Sequence, residues 1–415
     1  MKILQGIIDR KSFDQPATSL FFQTVCFALL PFILILSAMA IVPIALLITM
    51  ILLLTMPRSY WQNIWLQMQT KPIFGAVLLV SAYPLLTSFW SLDPFRSYSS
   101  AIGFIGFIFV FTALSSHYAS KPLYELPNLT RVVPLIFSLI AAFLWMEIIL
   151  DKGILSWLAD AIHVRNYMHK AINRGLCAYA VFLPAAICCL RLQYGKIISI
   201  FAWTLWGAPL YFLDSNSAFL AFIIGGIVMA FFFIFGWRTT RFLVLLGLIM
   251  AFLLPWELSI IFALSPSATP LPESFLAKIP PSMEHRIYIW DFVLKYIWHQ
   301  PWFGIGVNAA HAVPGAASRL ANFGGAHLPM HPHNAALQLL LEVGFFGYAL
   351  LAILAAFIWR YSGERNSSLR NCAQLATISS FCVIAISTFN IWISWWVCVA
   401  LIQPVWCSLL PNKNE

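Results

Sequence analysis

Charged residues are scarce in this chain, and their scarcity excludes a soluble globular protein. Asp, Glu, Lys and Arg make up 9% of the 415 residues, whereas hydrophobic residues make up 61%. Soluble domains carry about 25% charged residues. Because the mean hydropathy is +0.84, lipid must be the solvent for most of the chain. We therefore predict an all-α polytopic membrane protein, with a single integral membrane domain over residues 1–415.

The sequence also lacks the patterns that usually hold metals. The eight cysteines fall in or beside apolar segments without a CxxC pair, which favours small buried side chains over disulfides or metal ligands. No DxD-type pair of carboxylates lies in the outer loops, and no predicted helix carries HxxxH or HxxH spacing. We therefore predict no metal and no cofactor. The net charge of +9 is spread over short loops, so we expect the lipid bilayer as a partner and not nucleic acid.

Twelve apolar runs are close to the length that crosses a bilayer, which is about 20 residues for a helix. The first two and the last two runs form tight pairs, where the count is least secure. The runs are 18–37, 39–56, 73–90, 98–115, 132–150, 175–190, 197–213, 217–235, 242–264, 334–358, 373–391 and 393–409.

The basic residues predict the direction of these crossings. Cytoplasmic loops of membrane proteins carry an excess of Lys and Arg. With both termini in the cytoplasm, every inner loop has at least two basic residues, and most of the 24 basic residues lie inside. The nine outer basic residues gather mainly in segments 151–174 and 265–333. Two explanations are open: long loops are not subject to the cytoplasmic excess of Lys and Arg, or the basic residues hold an anionic ligand. They are Arg96, Lys152, Arg165, Lys170, Arg174, Lys278, Arg286, Lys295 and Arg319.

The longest loop, 265–333, joins the ninth and tenth runs on the outer side. Long ordered loops are usually functional. Within it, segment 283–299 repeats apolar residues at helical spacing, at Ile289, Val293 and Ile297. This pattern predicts an amphipathic helix lying on the outer membrane surface.

The chain then re-enters the membrane through the sequence HPHNAALQLLLEVGFFG, residues 331–347. Asn334, Gln338 and Glu342 are four residues apart and form a polar stripe on an otherwise apolar helix. A carboxylate inside a span is costly and is usually buried against a partner. Gln338 and Glu342 either hold helices together or support a functional site, and the spacing leaves both open. Asn334 is placed to cap or orient the start of the helix.

These residues resemble the O-antigen ligase superfamily, which also includes O-antigen and exopolysaccharide polymerases. The resemblance combines the HPHN-to-Gly347 run, an upstream arginine motif, and the placement of both around one large outer loop in a protein of about twelve spans. The motifs cover roughly residues 280–347, and the rest of the chain matches in topology alone. The upstream motif reads Arg286, Trp290, Pro301, Gly304 and Gly306.

The resemblance implies a metal-independent inverting glycosyltransferase of the membrane GT-C type. Such an enzyme moves a glycan from undecaprenyl diphosphate to an acceptor hydroxyl on the periplasmic face of the bacterial inner membrane. The leading interpretation is an O-antigen ligase that uses lipid A-core in lipopolysaccharide assembly. An O-antigen or exopolysaccharide polymerase, which extends a growing glycan, is the alternative. A lipid-linked sugar transporter or flippase is a further one, and the chain lacks the internal repeats typical of that class.

The resemblance also assigns candidate roles. Arg286 is the first choice to bind the diphosphate, because a guanidinium makes bidentate contacts to phosphate oxygens. His333 is the candidate general base, since imidazole titrates near neutral pH, although a hydrogen bond from His333 to the diphosphate is an alternative role. The supporting residues are Asn334, Gln338, Glu342 and Trp290.

One position departs from the family pattern. Members commonly carry a Ser-Arg pair where this chain reads Ser215-Asn216-Ser217. Arg174, at another predicted outer helix end, is placed to supply the missing charge. Arg165 and Lys170 belong to the same basic cluster and are further candidates for binding the diphosphate.

Overall fold

The computed structural model describes residues 17–69, 72–126, 128–151, 153–154, 157, 165–264, 269–320, 325–361 and 368–411. These residues form helices and connecting turns, and an isolated antiparallel bridge joins Arg319 to Ala326. The α-helices are Ala17–Leu36, Ile41–Thr55, Arg58–Gln69, Pro72–Thr87, Pro94–Ser120, Leu129–Ile149, Arg165–Gly207, Pro209–Phe212, Asn216–Ala263, Glu273–Leu276, Pro281–His299, Ala335–Tyr361, Leu369–Ala385 and Ser394–Trp406. Short 3-10 turns lie at Ala38–Ala40, Leu123–Glu125, Ala310–Ala312 and Cys407–Leu409.

Seven helices in this part of the chain are long and apolar enough to cross a membrane. This confirms an all-α polytopic membrane protein. Two of the seven contain two predicted runs each, and each is interrupted by a non-helical glycine, Gly195 in the first and Gly236 in the second. Shorter apolar helices account for the remaining runs, so each of the twelve runs overlaps a helix.

The chain folds back on itself within Arg165–Gly207. The Tyr179 hydroxyl donates a hydrogen bond to the Trp206 carbonyl at 3.1 Å. In one straight helix these two residues would lie about 40 Å apart, at about 1.5 Å per residue. The segment before the break is buried on every side among helices Ala17–Leu36, Leu129–Ile149 and Leu369–Ala385. This segment is therefore the centre of the bundle.

Helix Ala335–Tyr361 is broken at Gly344, where φ is 64°. The loop 301–306 fills the break. The amides of Ile305 and Gly306 donate to the Leu341 and Glu342 carbonyls at 3.1 and 3.0 Å. In return, the amides of residues 345 and 346 donate to the carbonyls of residues 301 and 302 at 2.8 and 3.1 Å. A break inside a membrane helix leaves backbone groups that must find partners within the protein, and this loop supplies them.

Glycine is required on both sides of this interlock. A Cβ at Gly304, where φ is 69°, would lie 2.4 Å from the Glu342 carbonyl, and one at Gly344 would lie 2.4 Å from the Trp302 carbonyl oxygen. Gly304 belongs to the upstream arginine motif, and Gly344 belongs to the HPHN-to-Gly347 run. The structure adds that the two glycine motifs of the sequence lock into each other.

Helix Pro281–His299 covers the stretch in which an amphipathic helix is predicted. Its apolar side chains Ile289, Val293 and Ile297 are buried, and they belong to one core with Leu337 and Leu340 of the broken helix. The apolar face therefore packs on protein. The position of this helix relative to the membrane surface stays a prediction, as does the single-domain division of the chain.

Candidate active site

His333 lies directly before the broken helix, in a strained backbone conformation. Its φ is 55°, in the left-handed region that costs a non-glycine residue about 1–2 kcal/mol. Two contacts hold it there. The His333 amide donates to Nδ1 of His331 at 3.1 Å, and Nδ1 of His333 contacts the Thr388 carbonyl oxygen at 2.8 Å. Strain of this kind concentrates at functional sites.

These contacts define the tautomer of His333. A carbonyl oxygen only accepts, so Nδ1 of His333 must carry the proton that it donates to Thr388. In the neutral ring, Nε2 then carries the lone pair. Nε2 has no hydrogen-bond partner among the residues that the structure describes. The half-buried ring thus presents a proton acceptor that is free to meet a ligand.

The surroundings keep both histidines neutral. Burial, followed by the nearby charges of Arg286 and His285, lowers the pKa of His333, although the bond to Thr388 opposes this. Burial, with His333 and Arg286 beside it, lowers the pKa of His331 to about 3. A neutral imidazole can accept a proton at neutral pH, which a general base requires.

Arg286 lies close enough to act electrostatically on both of these histidines. It is half-buried, and burial lowers the pKa of its guanidinium, which remains protonated in proteins. Across the described residues, no acidic group or hydrogen-bond acceptor pairs with it. A half-buried cation without a counter-ion is suited to an anionic ligand.

Trp290 and His285 of helix Pro281–His299 hydrogen-bond to the segment that precedes His333. The Trp290 indole donates to the Pro332 carbonyl at 2.9 Å, directly before His333. His285 contacts the Ala326 carbonyl at 3.0 Å through Nε2. Arg286 therefore stands on a helix that is fixed to the turn it faces.

A polar network centred on two fully buried side chains lies beneath the site. The Glu342 carboxylate accepts from the amides of Asn308 at 2.8 Å and Ala310 at 3.3 Å, from Gln338 Nε2 at 3.2 Å, and from the Trp392 indole. Glu342 and Gln338 are both 0% exposed. Four donors around one carboxylate show that Glu342 joins the loop, the helix and the turn around residue 390. Of the two roles that the sequence left open, holding elements together has this direct support.

The start of the broken helix and the turn around residue 390 are tied together by amides. Asn334 Oδ1 accepts from the Leu337 amide at 3.1 Å, which caps the helix. Gln338 Nε2 donates to Asn390 Oδ1 at 2.8 Å, and Asn390 Nδ2 donates to Asn308 Oδ1 at 2.9 Å. Thr388, whose carbonyl orients His333, lies in this same turn. The network therefore fixes the position of His333 indirectly, through the turn that contains Thr388.

Sequence reasoning did not single out Thr388, Asn390, Trp392 or Asn308. Their polar side chains are isolated in sequence, and no spacing links them to the HPHN run. The signal they offer is weak: an Asn-Ile-Trp turn between two apolar helices near the C-terminal end. Their roles become visible when the turn is packed against residues 333–342.

The Arg174 hypothesis gains a structural connection. Asn173 Oδ1 accepts from the Ser215 hydroxyl at 2.6 Å, and Thr388 donates through its hydroxyl to Ser217 at 2.6 Å. Arg174 therefore follows directly on a residue that is bonded to the place where family members carry the missing arginine. The side chains of Arg165 and Lys170 lie outside the described part of the chain, so their role stays a prediction.

Within the described ranges, no group of three or more His, Cys, Asp and Glu side chains is placed to hold a metal ion. The eight cysteines are free thiols. The positive charge that an anionic ligand would meet at this site is that of Arg286.

Fold and site together define a multi-pass helical membrane protein with an arginine–histidine cluster at one end of a broken helix. Residues 200–352 match a family model described as O-antigen ligase. A protein of Rickettsia conorii named "putative polysaccharide ligase" is 26% identical over 344 residues, which cover 81% of this chain and 78% of that protein. A Rickettsia bellii protein of the same description is 26% identical over 351 residues, 80% of this chain and 78% of its own. These comparisons confirm the resemblance to the O-antigen ligase superfamily.

The matched segment includes Arg286, Trp290, His333 and Glu342. Arg174 lies before this segment, and Thr388, Asn390 and Trp392 lie after it. The case for Arg174 depends on its position in the structure.

Proposed function

We propose that this protein is a glycosyltransferase that moves a glycan from undecaprenyl diphosphate to an acceptor hydroxyl at the periplasmic face of the bacterial inner membrane. The observation that carries the proposal is the pairing of an unneutralised, half-buried Arg286 with a neutral His333 whose Nε2 is free. This pairing meets the two needs of the reaction, which are charge stabilisation on the leaving group and removal of one proton.

The proposed chemistry is a single displacement. The acceptor hydroxyl gives its proton to His333 Nε2, and its oxygen forms a bond to the anomeric carbon of the donor sugar. The bond between that carbon and the phosphate oxygen breaks, and the electron pair leaves with undecaprenyl diphosphate. Arg286, with Arg174 as the second cation, stabilises the negative charge that develops on the diphosphate. Attack from the face opposite the leaving group inverts the anomeric centre, and arginine supplies the charge that a metal would otherwise provide.

Ligase activity with a lipid A-core acceptor is the version we favour. The matching family is described as O-antigen ligase, and the related Rickettsia proteins carry the name "putative polysaccharide ligase". A polymerase would use the same pairing with a growing glycan as its acceptor. In this proposal both chain termini are cytoplasmic and the Arg286–His333 cluster faces the periplasm.

A glycolipid gel from a gene-deletion strain separates these activities. A ligase defect leaves intact lipid A-core without O-chains while lipid-linked polymer accumulates. A polymerase defect leaves core capped with a single repeat unit. Complementation with wild type should restore the missing product and complementation with His333→Ala should not. A normal gel in the deletion strain would contradict both activities.

A further inference from the structure

A second polar pair lies beside the proposed site and has no role in the mechanism above. His311 Nε2 is 3.2 Å from Asp93 Oδ2, and the two side chains are 26% and 31% exposed. The other ring nitrogen of His311, Nδ1, is buried and has no hydrogen-bond partner among the described residues, so the exposed part of the ring lies elsewhere. Asp93 also caps helix Pro94–Ser120, because its Oδ1 accepts from the Arg96 amide at 3.1 Å. The pair is therefore reachable from outside, unlike the buried network beneath it.

The loop that carries His311 is held unusually firmly. Glu342 binds the amides of Asn308 and Ala310, which lie three residues and one residue before His311. The Val307 amide contacts the Thr87 hydroxyl at 3.2 Å, and its carbonyl accepts from Ser97 at 2.6 Å. The loop therefore presents His311 and Asp93 in a fixed relative position, as a preorganised binding site requires.

The same polar network connects this pair to the catalytic candidate. Asn308 bonds to Asn390, and Asn390 follows two residues after Thr388, whose carbonyl orients His333. A bridge formed by Asn308, Asn390 and Thr388 thus joins the loop of His311 to His333.

Exposed aromatic residues lie close in sequence to Asp93 and in the segment before His311. Trp90 packs edge-on against Phe303 with ring centroids 6.1 Å apart, and Trp302 and Phe95 lie nearby in sequence with 66% and 84% of their surface exposed. Ligand sites combine aromatic surfaces with a few fixed polar groups. Flat rings beside a carboxylate and an imidazole suit the apolar faces and hydroxyls of a sugar.

Charge indicates which substrate this pair would take. The side of the bridge with Arg286 and the histidines is cationic and fits a diphosphate, whereas the carboxylate of Asp93 would repel phosphate. We propose that Asp93 and His311 bind the hydroxyls of the acceptor sugar, opposite the donor diphosphate. This inference rests on the proposed glycosyltransferase function.

The test compares two variants that preserve local structure. Asp93→Ser keeps a cap for the Arg96 amide but removes the carboxylate, and His311→Gln keeps a polar side chain of similar reach. In transfer assays with purified full-length protein, we expect the acceptor KM to rise about tenfold in each variant, as expected for one lost hydrogen bond to a charged group. The donor KM and the pH profile should not change. His299→Gln, at an exposed histidine on another helix, is the matched control.

A binding measurement separates this inference from the proposed function. Phosphate-free core oligosaccharide is titrated into the purified protein while tryptophan fluorescence is followed. Binding by wild type that weakens in both variants supports the acceptor site even if no transfer is observed, in which case the transferase proposal alone fails. Unchanged oligosaccharide affinity and unchanged acceptor KM in both variants would overturn the acceptor site. The aromatic rings would then serve the membrane interface, and Asp93 only the helix cap.

Discussion

The interlock between the broken helix and the loop 301–306 makes a sharp prediction for Gly344→Ala. The new Cβ would sit 2.4 Å from the Trp302 carbonyl oxygen and 2.5 Å from the Gly304 amide nitrogen, and neither backbone atom can rotate away. The positive φ adds about 1–2 kcal/mol of strain. If the loop withdraws, four backbone hydrogen bonds are lost at about 1 kcal/mol each. The expected destabilisation is therefore roughly 5–6 kcal/mol.

Gly247→Ala is the matched control, because a Cβ at this helical glycine meets no atom within 4 Å. Alanine is the better helix former there by about 1 kcal/mol, so this variant should be neutral or slightly stabilised. Thermal unfolding of both variants in the same detergent, followed by tryptophan fluorescence, measures the difference. We expect Gly344→Ala to unfold at a clearly lower temperature and to lose transfer activity. Equal unfolding temperatures for the two variants would refute the interlock.

Four further predictions concern the cationic site. His333→Ala should lower the transfer rate about 10²–10⁴-fold while the protein stays folded, because a general base is lost. A normal transfer rate in this variant would show that His333 takes no part in the reaction. The lowered pKa of His333 in the wild type predicts that its neutral, active form persists below pH 6.5. The acid limb of the pH–rate profile should therefore fall at a lower pH than for an ordinary histidine. A midpoint above pH 6.5 would contradict this. Arg286→Lys should lose most activity because an ammonium cannot make bidentate phosphate contacts, whereas Arg319→Lys, at an exposed arginine, should not. Arg174→Ala should reduce transfer in folded protein, and full activity would end the hypothesis that it replaces the missing arginine.

The apolar runs predicted the helices well because membrane solvation acts on each residue locally. A run of about 20 apolar residues has few alternatives to a helix in lipid. The runs at 175–190 and 197–213 were separated by a short basic stretch, and the structure places the break there, at Gly195. Sequence reasoning also placed a helix at 283–299, where Pro281–His299 is found.

The site was predictable only in part, because its geometry depends on contacts between distant segments. Arg286 and His333 could be named from motifs, yet the orientation of His333 comes from the carbonyl of Thr388, 55 residues later. Asp93 and His311 meet across more than 200 residues without any shared motif. Gly304 and Gly344 could be named as members of the two motifs, whereas their mutual contact depends on the fold.

Reconstituted transfer tests the central claim most directly. Purified wild-type protein is incubated with an undecaprenyl-diphosphate-linked glycan and an acceptor, without ATP and with a chelator of divalent metals, beside His333→Ala and Arg286→Lys. We expect glycan transfer by wild type and little or none by either variant. No transfer by wild type, together with movement of the lipid-linked glycan across liposome membranes, would contradict it.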